Sequence, residues 1–305
     1  MSHRAPFWGR FVVFVNDLPD VVLPGNTIAL FADDCKTSRV IDDVNDQFCF
    51  QRDLDNLHHW SICNAMAFNV KKCKVMRLTK KRQPLVSNYS LDNSLLDEVK
   101  EFKDLGVTTT DNFNWNSHID IIVSKANRML GLIKRTCRGL DDITTPRTLY
   151  CALVRSNVEY CSVVWSPYTK RNIEKVERVQ RRATKFILET EDNYETRLKK
   201  LNLMSLENRR FLADVTFLYK ALNGISNINI DSYVDFYSNA DYYSFRKYDD
   251  LSLKKKYART NPLKYSFFHR IVDSWNLLPY DTRKAISVDI FKRGVKKCLL
   301  EHAFD

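Results

Sequence analysis

The sequence predicts an α+β chain in which short hairpins and one helix are followed by a longer, mainly helical remainder. Three observations point there. The apolar period shifts from two to about 3.6 along the first third and then stays helical. Only 7 Gly and 8 Pro among 305 residues leave few tight turns for an all-β fold. Hydrophobic residues at 44% and aromatics at 12% are ample for packed cores, which excludes a disordered or collagen-like chain. At roughly 100–200 residues per domain, the length suggests about two domains.

In order along the chain, Asn26 to Phe31 is a run of β-forming residues, Ala32 to Asp34 a turn, and Cys35 to Val40 a returning strand. From Asp43 to Asn64, Val44, Phe48, Leu54, Leu57 and Ile62 recur at helical spacing, with Asp46, Arg52, Asp53 and Asp55 for the wet side. Phe68 to Leu78 reads as a strand ended by Lys80 to Pro84. Tyr89–Leu91 and Glu98–Val107, around Asp92-Asn93-Ser94, read as a second hairpin. Ser117 is the expected N-cap of a helix whose stripe is Ile119, Ile122, Ala126, Met129, Leu130 and Ile133, ended at Arg138-Gly139. Another helix should start at Thr145-Pro146. Arg171 to Leu188 is the clearest helix. At 100° per residue Ile173, Val176, Val179, Ala183, Phe186 and Ile187 share one side, while Arg171, Lys175, Arg178, Arg182 and Lys185 lie within about 40° of the Arg171 direction on the opposite side. Residues 225–262, rich in Tyr, Asn, Ser and Asp, read as a linker, and helical patterning returns around Trp275 and Phe291. The expected divisions are therefore 1–116, 117–224, 225–262 and 263–305.

The net charge of +11 is uneven. Residues 1–116 carry 14 basic and 15 acidic side chains, residues 117–200 carry 17 and 10, and residues 201–305 carry 17 and 12. A near-neutral first third before a basic remainder suits a cation site beside a surface for a polyanion, although a chance gradient gives the same counts. The eight cysteines contain no CxxC pair and the six histidines do not alternate with them at zinc-ligand spacing, which argues for free thiols in a reducing compartment. The apolar run Phe11 to Val15 is far short of the ~20 residues of a membrane span. These features suggest a soluble, intracellular protein, in nucleus or cytoplasm, with no membrane partner.

The chemistry concentrates at Phe31-Ala32-Asp33-Asp34. Adjacent carboxylates repel, and a divalent cation such as Mg²⁺ relieves that repulsion. A solvated turn is the alternative, because turns favour Asp.

The order of segments is informative: Phe11 to Pro19 with Asn16-Asp17, Phe31 to Asp34, Leu54-Asp55-Asn56-Leu57 with Trp60, Phe68 to Cys73, and Phe102-Lys103-Asp104-Leu105-Gly106-Val107. Further on come Leu153 to Trp165, the basic helix, Ser266 to Arg270, Trp275-Asn276, Leu278-Pro279 and Phe291-Lys292. From about residue 11 to 300 this series resembles the reverse transcriptases of non-LTR retrotransposons, of the jockey or CR1-like type. The resemblance implies the C-terminal part of a polymerase palm, then a helical thumb and a helical C-terminal region. It implies that Asp33 and Asp34 bind Mg²⁺ and are catalytic, that Phe31 and Ala32 line the nucleotide site, and that Lys72 assists the leaving pyrophosphate, with a plain surface lysine as the alternative. It implies a primer-grip hairpin at Phe102, Leu105 and Gly106. Lys125, Arg128, Arg171, Lys175, Arg178 and Arg182 would contact the phosphates of an RNA template and DNA primer without reading bases, with a solvated face as the alternative. No small-molecule cofactor beyond the deoxynucleotide is implied.

The chain departs from the family in lacking the upstream metal-binding Asp strand, the Pro-Gln-Gly-Ser segment and an endonuclease. The expectation is a truncated copy without independent activity. A non-catalytic basic nucleic-acid-binding protein and a retroelement remnant are the alternatives.

Overall fold

The computed structural model describes residues 15–237 and 249–301. Phe11 to Phe14 of the first motif, part of the expected linker and the last residues lie outside them. The chain divides into two compact units, the first ending at Phe102 and the second starting at Lys103, so the division precedes the expected 116. The class is α+β.

In the first unit, β1 (Asn26–Phe31) and β2 (Asp34–Arg39) form an antiparallel hairpin running from Asn26 opposite Arg39 to Phe31 opposite Asp34. Period-two alternation turns Ile28, Leu30 and Cys35 toward the core, where Leu54, Leu57 and Trp60 of helix α1 (Val44–Cys63) meet them. Asp43 caps α1 in a reciprocal box with Asp46, and Arg39 ties the hairpin to that cap through Asp46 at 2.8 Å.

One face of α1 differs from expectation. Asp53 is fully buried and accepts the Leu23 N–H at 2.9 Å, whereas Val44, Phe48 and Ile62 are exposed. Burial raises the Asp53 pKa, and its Oδ2 has no partner among the described residues. The carboxylate anchors the loop before β1, a tertiary demand that overrides residue type.

The expected strand Phe68–Leu78 shrinks to β3 (Lys74–Val75), because Asn69 to Cys73 closes a turn with Lys72 N–H on Asn69 O at 2.8 Å. Tyr89–Leu91 does not pair with Glu98–Val107. Instead β4 (Ser90–Leu91) pairs with β5 (Ser94–Leu95) across Asp92-Asn93, both left-handed at φ 51° and 55°. That is the two-residue turn whose twist matches the strands. The expected strand Glu98–Val107 is broken into β6 (Asp97–Glu98), parallel to β3, and β7 (Glu101–Asp104), which pairs with β8 (Val107–Thr110).

The second unit holds two cores. The first is built by α2 (Asn116–Thr136), α3 (Thr144–Leu149), a π-helical turn (Tyr150–Arg155), α4 (Ser156–Glu159), α5 (Ser162–Trp165) and α6 (Lys170–Leu188). Helix α2 starts from Trp115, not Ser117. The stripe Ile119, Ile122, Ala126, Leu130 and Ile133 is buried, joined by Val123. Beyond α6, α7 (Tyr194–Lys200) leads to α8 (Leu206–Leu222). The Glu177 carboxylate of α6 takes the Leu206 N–H at 3.1 Å and the Tyr194 hydroxyl, so a buried acid satisfies the open first turn of α8.

After α9 (Asn261–Lys264), the second core joins α8 to α10 (Phe267–Asn276) and α12 (Val288–Glu301), with α11 (Tyr280–Arg283) between the last two in sequence. The expected linker 225–262 is corrected here: Ile230, Val234 and Leu253 are buried in this core, and Asn276 clamps Leu253 by its N–H and C=O, both at 2.9 Å. Trp275 and Phe291, from the C-terminal motifs, stack in the same core at 5.9 Å. No helix among the described residues is long and apolar enough to cross a membrane.

Candidate metal tip and nucleic-acid interface

In the first unit the β1–β2 tip consists of Ala32 and Asp33 between paired Phe31 and Asp34. All four are exposed, Phe31 at 63%. Ala32 is held at φ 55°, a left-handed conformation that costs a residue with a Cβ about 1–2 kcal/mol. Such outliers concentrate where geometry serves a site, and this one sits beside two adjacent carboxylates.

Among the described residues no third His, Cys, Asp or Glu joins Asp33 and Asp34 in a cation-holding group. As a donor set, two hard carboxylates fit Mg²⁺ in the manner that leaves the other positions to water and phosphate oxygens. Lys72 lies in the Asn69–Cys73 turn, exposed. That turn lies near β2: the Cys35 thiol is pushed up to about 11, first by burial and then by the neighbouring Cys73. An open groove of about 680 Å³ runs along Phe68, Asn69, Lys71 and the β4–β5 hairpin, and neither Asp33 nor Asp34 lines it.

The unit boundary falls inside β7, which carries Phe102, and Leu105-Gly106 makes the tight turn into β8 at φ 44° and 86°. The Tyr160 hydroxyl donates to Leu105 O at 3.0 Å, and a Cβ on Gly106 would come within 3.1 Å of the same ring. Gly106→Ala should therefore destabilise the second unit by about 1–2 kcal/mol. Urea unfolding followed by circular dichroism checks this, and an unchanged midpoint contradicts it.

The cations of the second unit converge on one pair of helices. Asn116 meets Asn172 at 2.7 Å, Asp120 meets Lys175, and Asn127 meets Arg182 at 3.5 Å. The partner numbers rise together, so α2 and α6 run parallel with a polar seam between them. Lys125 and Arg128 on α2 and Arg171 and Arg178 on α6 are exposed and form no ion pair among the described residues. Arg181 belongs with them, exposed and 5.2 Å from the Tyr194 ring. Lys175, one of the expected phosphate contacts, is half-buried with its ammonium held by Asp120. A small cavity of about 70 Å³ lies where the two helices begin, lined by Trp115, Asn116, Tyr168 and Thr169 among others.

The amphipathic pattern of α6 exposes the ridge, but the seam had no local signal, because its partners are 55 or 56 positions apart. Two kinds of surface thus stand in the chain, a strained acidic tip in the first unit and a cationic helix pair in the second. Comparison with protein-family models, curated proteins and solved structures gives no match for this chain.

Proposed function

We propose that the chain is the C-terminal portion of an RNA-directed DNA polymerase of the non-LTR retrotransposon kind, whose second unit holds a template–primer duplex by its phosphates. The observation that carries this reading is the α2–α6 ridge. Lys125, Arg128, Arg171 and Arg178 point exposed charge outward without internal counter-ions, whereas solvated surface cations commonly sit among carboxylates, as Lys185 does with Glu191. Contacts of this type position a duplex and carry no base specificity.

In the first unit, Asp33 and Asp34 would hold Mg²⁺, and Phe31 and Ala32 would flank the nucleotide. When bound, Mg²⁺ supplies charge neutralisation at the phosphates undergoing transfer. Lys72, carried on the turn near β2, would place a proton donor by the departing pyrophosphate. With two carboxylates and no third ligand residue among those described, the tip would hold the ion by these two groups alone, and we assign no independent polymerase activity to the chain.

Two experiments test the reading. Triple charge reversal Arg171→Glu, Arg178→Glu, Arg182→Glu should weaken binding to an RNA–DNA hybrid at least ~100-fold near 0.15 M salt and flatten its salt dependence. Unchanged affinity eliminates the nucleic-acid interface. Magnesium-dependent primer extension on an RNA template should give no product; robust extension that disappears in Asp33→Ala would overturn the inactivity and keep the metal assignment. Hybrid binding without any effect of Mg²⁺ on the β1–β2 tip would favour the non-catalytic binding protein, which the two-donor set also suits.

A further inference from the structure

Helix α12 and the turn before it form a second cationic surface, apart from the α2–α6 ridge. From Lys284 to Glu301 the chain carries Lys284, Lys292, Arg293, Lys296 and Lys297 against two acids, Asp289 and Glu301. Phe291, Val295, Cys298 and Leu299 are buried, while Arg293, Lys296 and Lys297 are exposed on the opposite side of α12 and half-buried Lys292 borders the core stripe. Arg293 and Lys296 are exposed, and neither they nor Lys292 form an ion pair among the described residues. Gly294 lets α12 approach α11 closely, since a Cβ there would meet the Thr282 side chain at 2.9 Å. This contact fixes the helix that bears the charges against the segment that ends at Lys284.

We infer that the outer face of α12 is a second binding surface for the phosphate backbone of a nucleic-acid strand. Lys292 and Lys296 are one helical turn apart, about 5.4–6 Å, with Arg293 three residues from Lys296, a span that matches about two phosphates at ~3.4 Å per nucleotide of rise. A membrane surface is the other polyanion such a helix meets, but there a continuous apolar face must enter the lipid. Here that face is spent on the core. The exposed aliphatic residues are Ile286, in the turn before the helix, and Ile290 and Leu300 on it; the last two are about 15 Å apart along the axis with Arg293 and Lys297 between them, so they form no continuous insertion surface. No exposed aromatic platform lies on the helix itself, so the surface takes backbone charge and not stacked bases.

The inference rests on the nucleic-acid reading of the second unit, and the test separates the two. The full chain, an Arg293→Glu/Lys296→Glu variant, its neutral Arg293→Gln/Lys296→Gln counterpart and the α2–α6 ridge variant are titrated with a hybrid duplex of about 30 base pairs across a salt series. The α12 reversal should weaken binding at least tenfold at 0.15 M salt and make the slope of log K against log salt shallower by about 2, with the neutral pair intermediate. In the unmodified protein, bound hybrid should also protect Lys292 and Lys296 from acetylation, a readout that does not depend on any variant folding. Wild-type affinity in both α12 variants, beside a loss in the ridge variant, overturns this inference and leaves the proposed function standing. No hybrid binding by the unmodified chain overturns both. Sedimentation of the chain with phosphatidylserine vesicles, lost in the α12 variants while hybrid binding is not, assigns the face to a membrane and overturns the inference.

Discussion

Replacing Trp165 by alanine lowers the stability of the second unit by about 3–5 kcal/mol, the range for deleting a large aromatic from a packed interior. Trp165 is fully buried, lies edge-on to His118 at 5.2 Å and donates its indole N–H to Tyr160 O at 2.7 Å. The loss has two parts. The cavity removes contacts with the α2–α6 core, and the Tyr160 carbonyl loses its donor. Because the Tyr160 hydroxyl also holds the Leu105 carbonyl, the β7–β8 turn loosens as well. Trp165→Phe keeps most of the volume and loses the hydrogen bond, so it should cost about 1–2 kcal/mol. Urea unfolding of the three proteins by circular dichroism ranks them, and a Trp165→Phe midpoint equal to the native one would show that the indole N–H contributes nothing.

The buried ion pair of α8 and α10 predicts both a loss and a pH dependence. Asp214 accepts from Arg270 at 3.1–3.3 Å, and Arg270 also donates to Val163 O at 2.5 Å, so one guanidinium joins α5, α8 and α10. Asp214→Ala strands that guanidinium without its counter-ion and should cost about 3–5 kcal/mol. Burial pushes the Asp214 carboxyl up to about 6 from its ordinary 3.8, even though Arg270 and Arg210 both pull it down. A raised folded pKa means that the folded state binds the proton more tightly than the unfolded state does. Its contribution is therefore fully present below about pH 3.8 and is lost as pH rises through 6, by about 3 kcal/mol for two pKa units. Relative to Asp214→Asn, the native protein should lose stability between pH 4 and 6.5. Parallel stability curves for the two proteins across that window would refute the coupling.

Legibility in the sequence followed locality. The β1–β2 hairpin and α6 were readable because alternation and amphipathicity are properties of neighbouring residues, and both elements fold along the expected segments, α6 starting one residue early at Lys170. The inward turn of Asp53 was not, because its reason is the Leu23 N–H, 30 positions away. Ile230, Val234 and Leu253 looked like linker residues for a similar reason. They lie in segments too polar to show a helical or strand period, and only the packing of α8, α10 and α12 gives them a common core. The π turn at Tyr150–Arg155 had no signal either, since an extra residue per turn leaves composition unchanged, yet it keeps Tyr150, Val154 and Val158 all in the interior. At the candidate site the acidic tip was visible as a motif, whereas the strain at Ala32 and the Asp120–Lys175 pair depend on backbone geometry and on a distant partner.

The parallel course of α2 and α6 also shapes the field of the second unit. Each helix carries roughly half a positive charge at its start and half a negative charge at its end, and two parallel helices place both positive ends together. Neither first turn has an acidic side chain to oppose that charge, and α6 begins with Lys170 and Arg171, while Lys134, Arg135 and Lys185 offset the far ends. Placing cations at a positive end costs roughly 0.3–1 kcal/mol of helix stability per residue. In return the potential along the ridge has a polarity, steepest at Asn116 and Lys170, so a polyanion bound as proposed would meet two unequal ends and have a preferred direction.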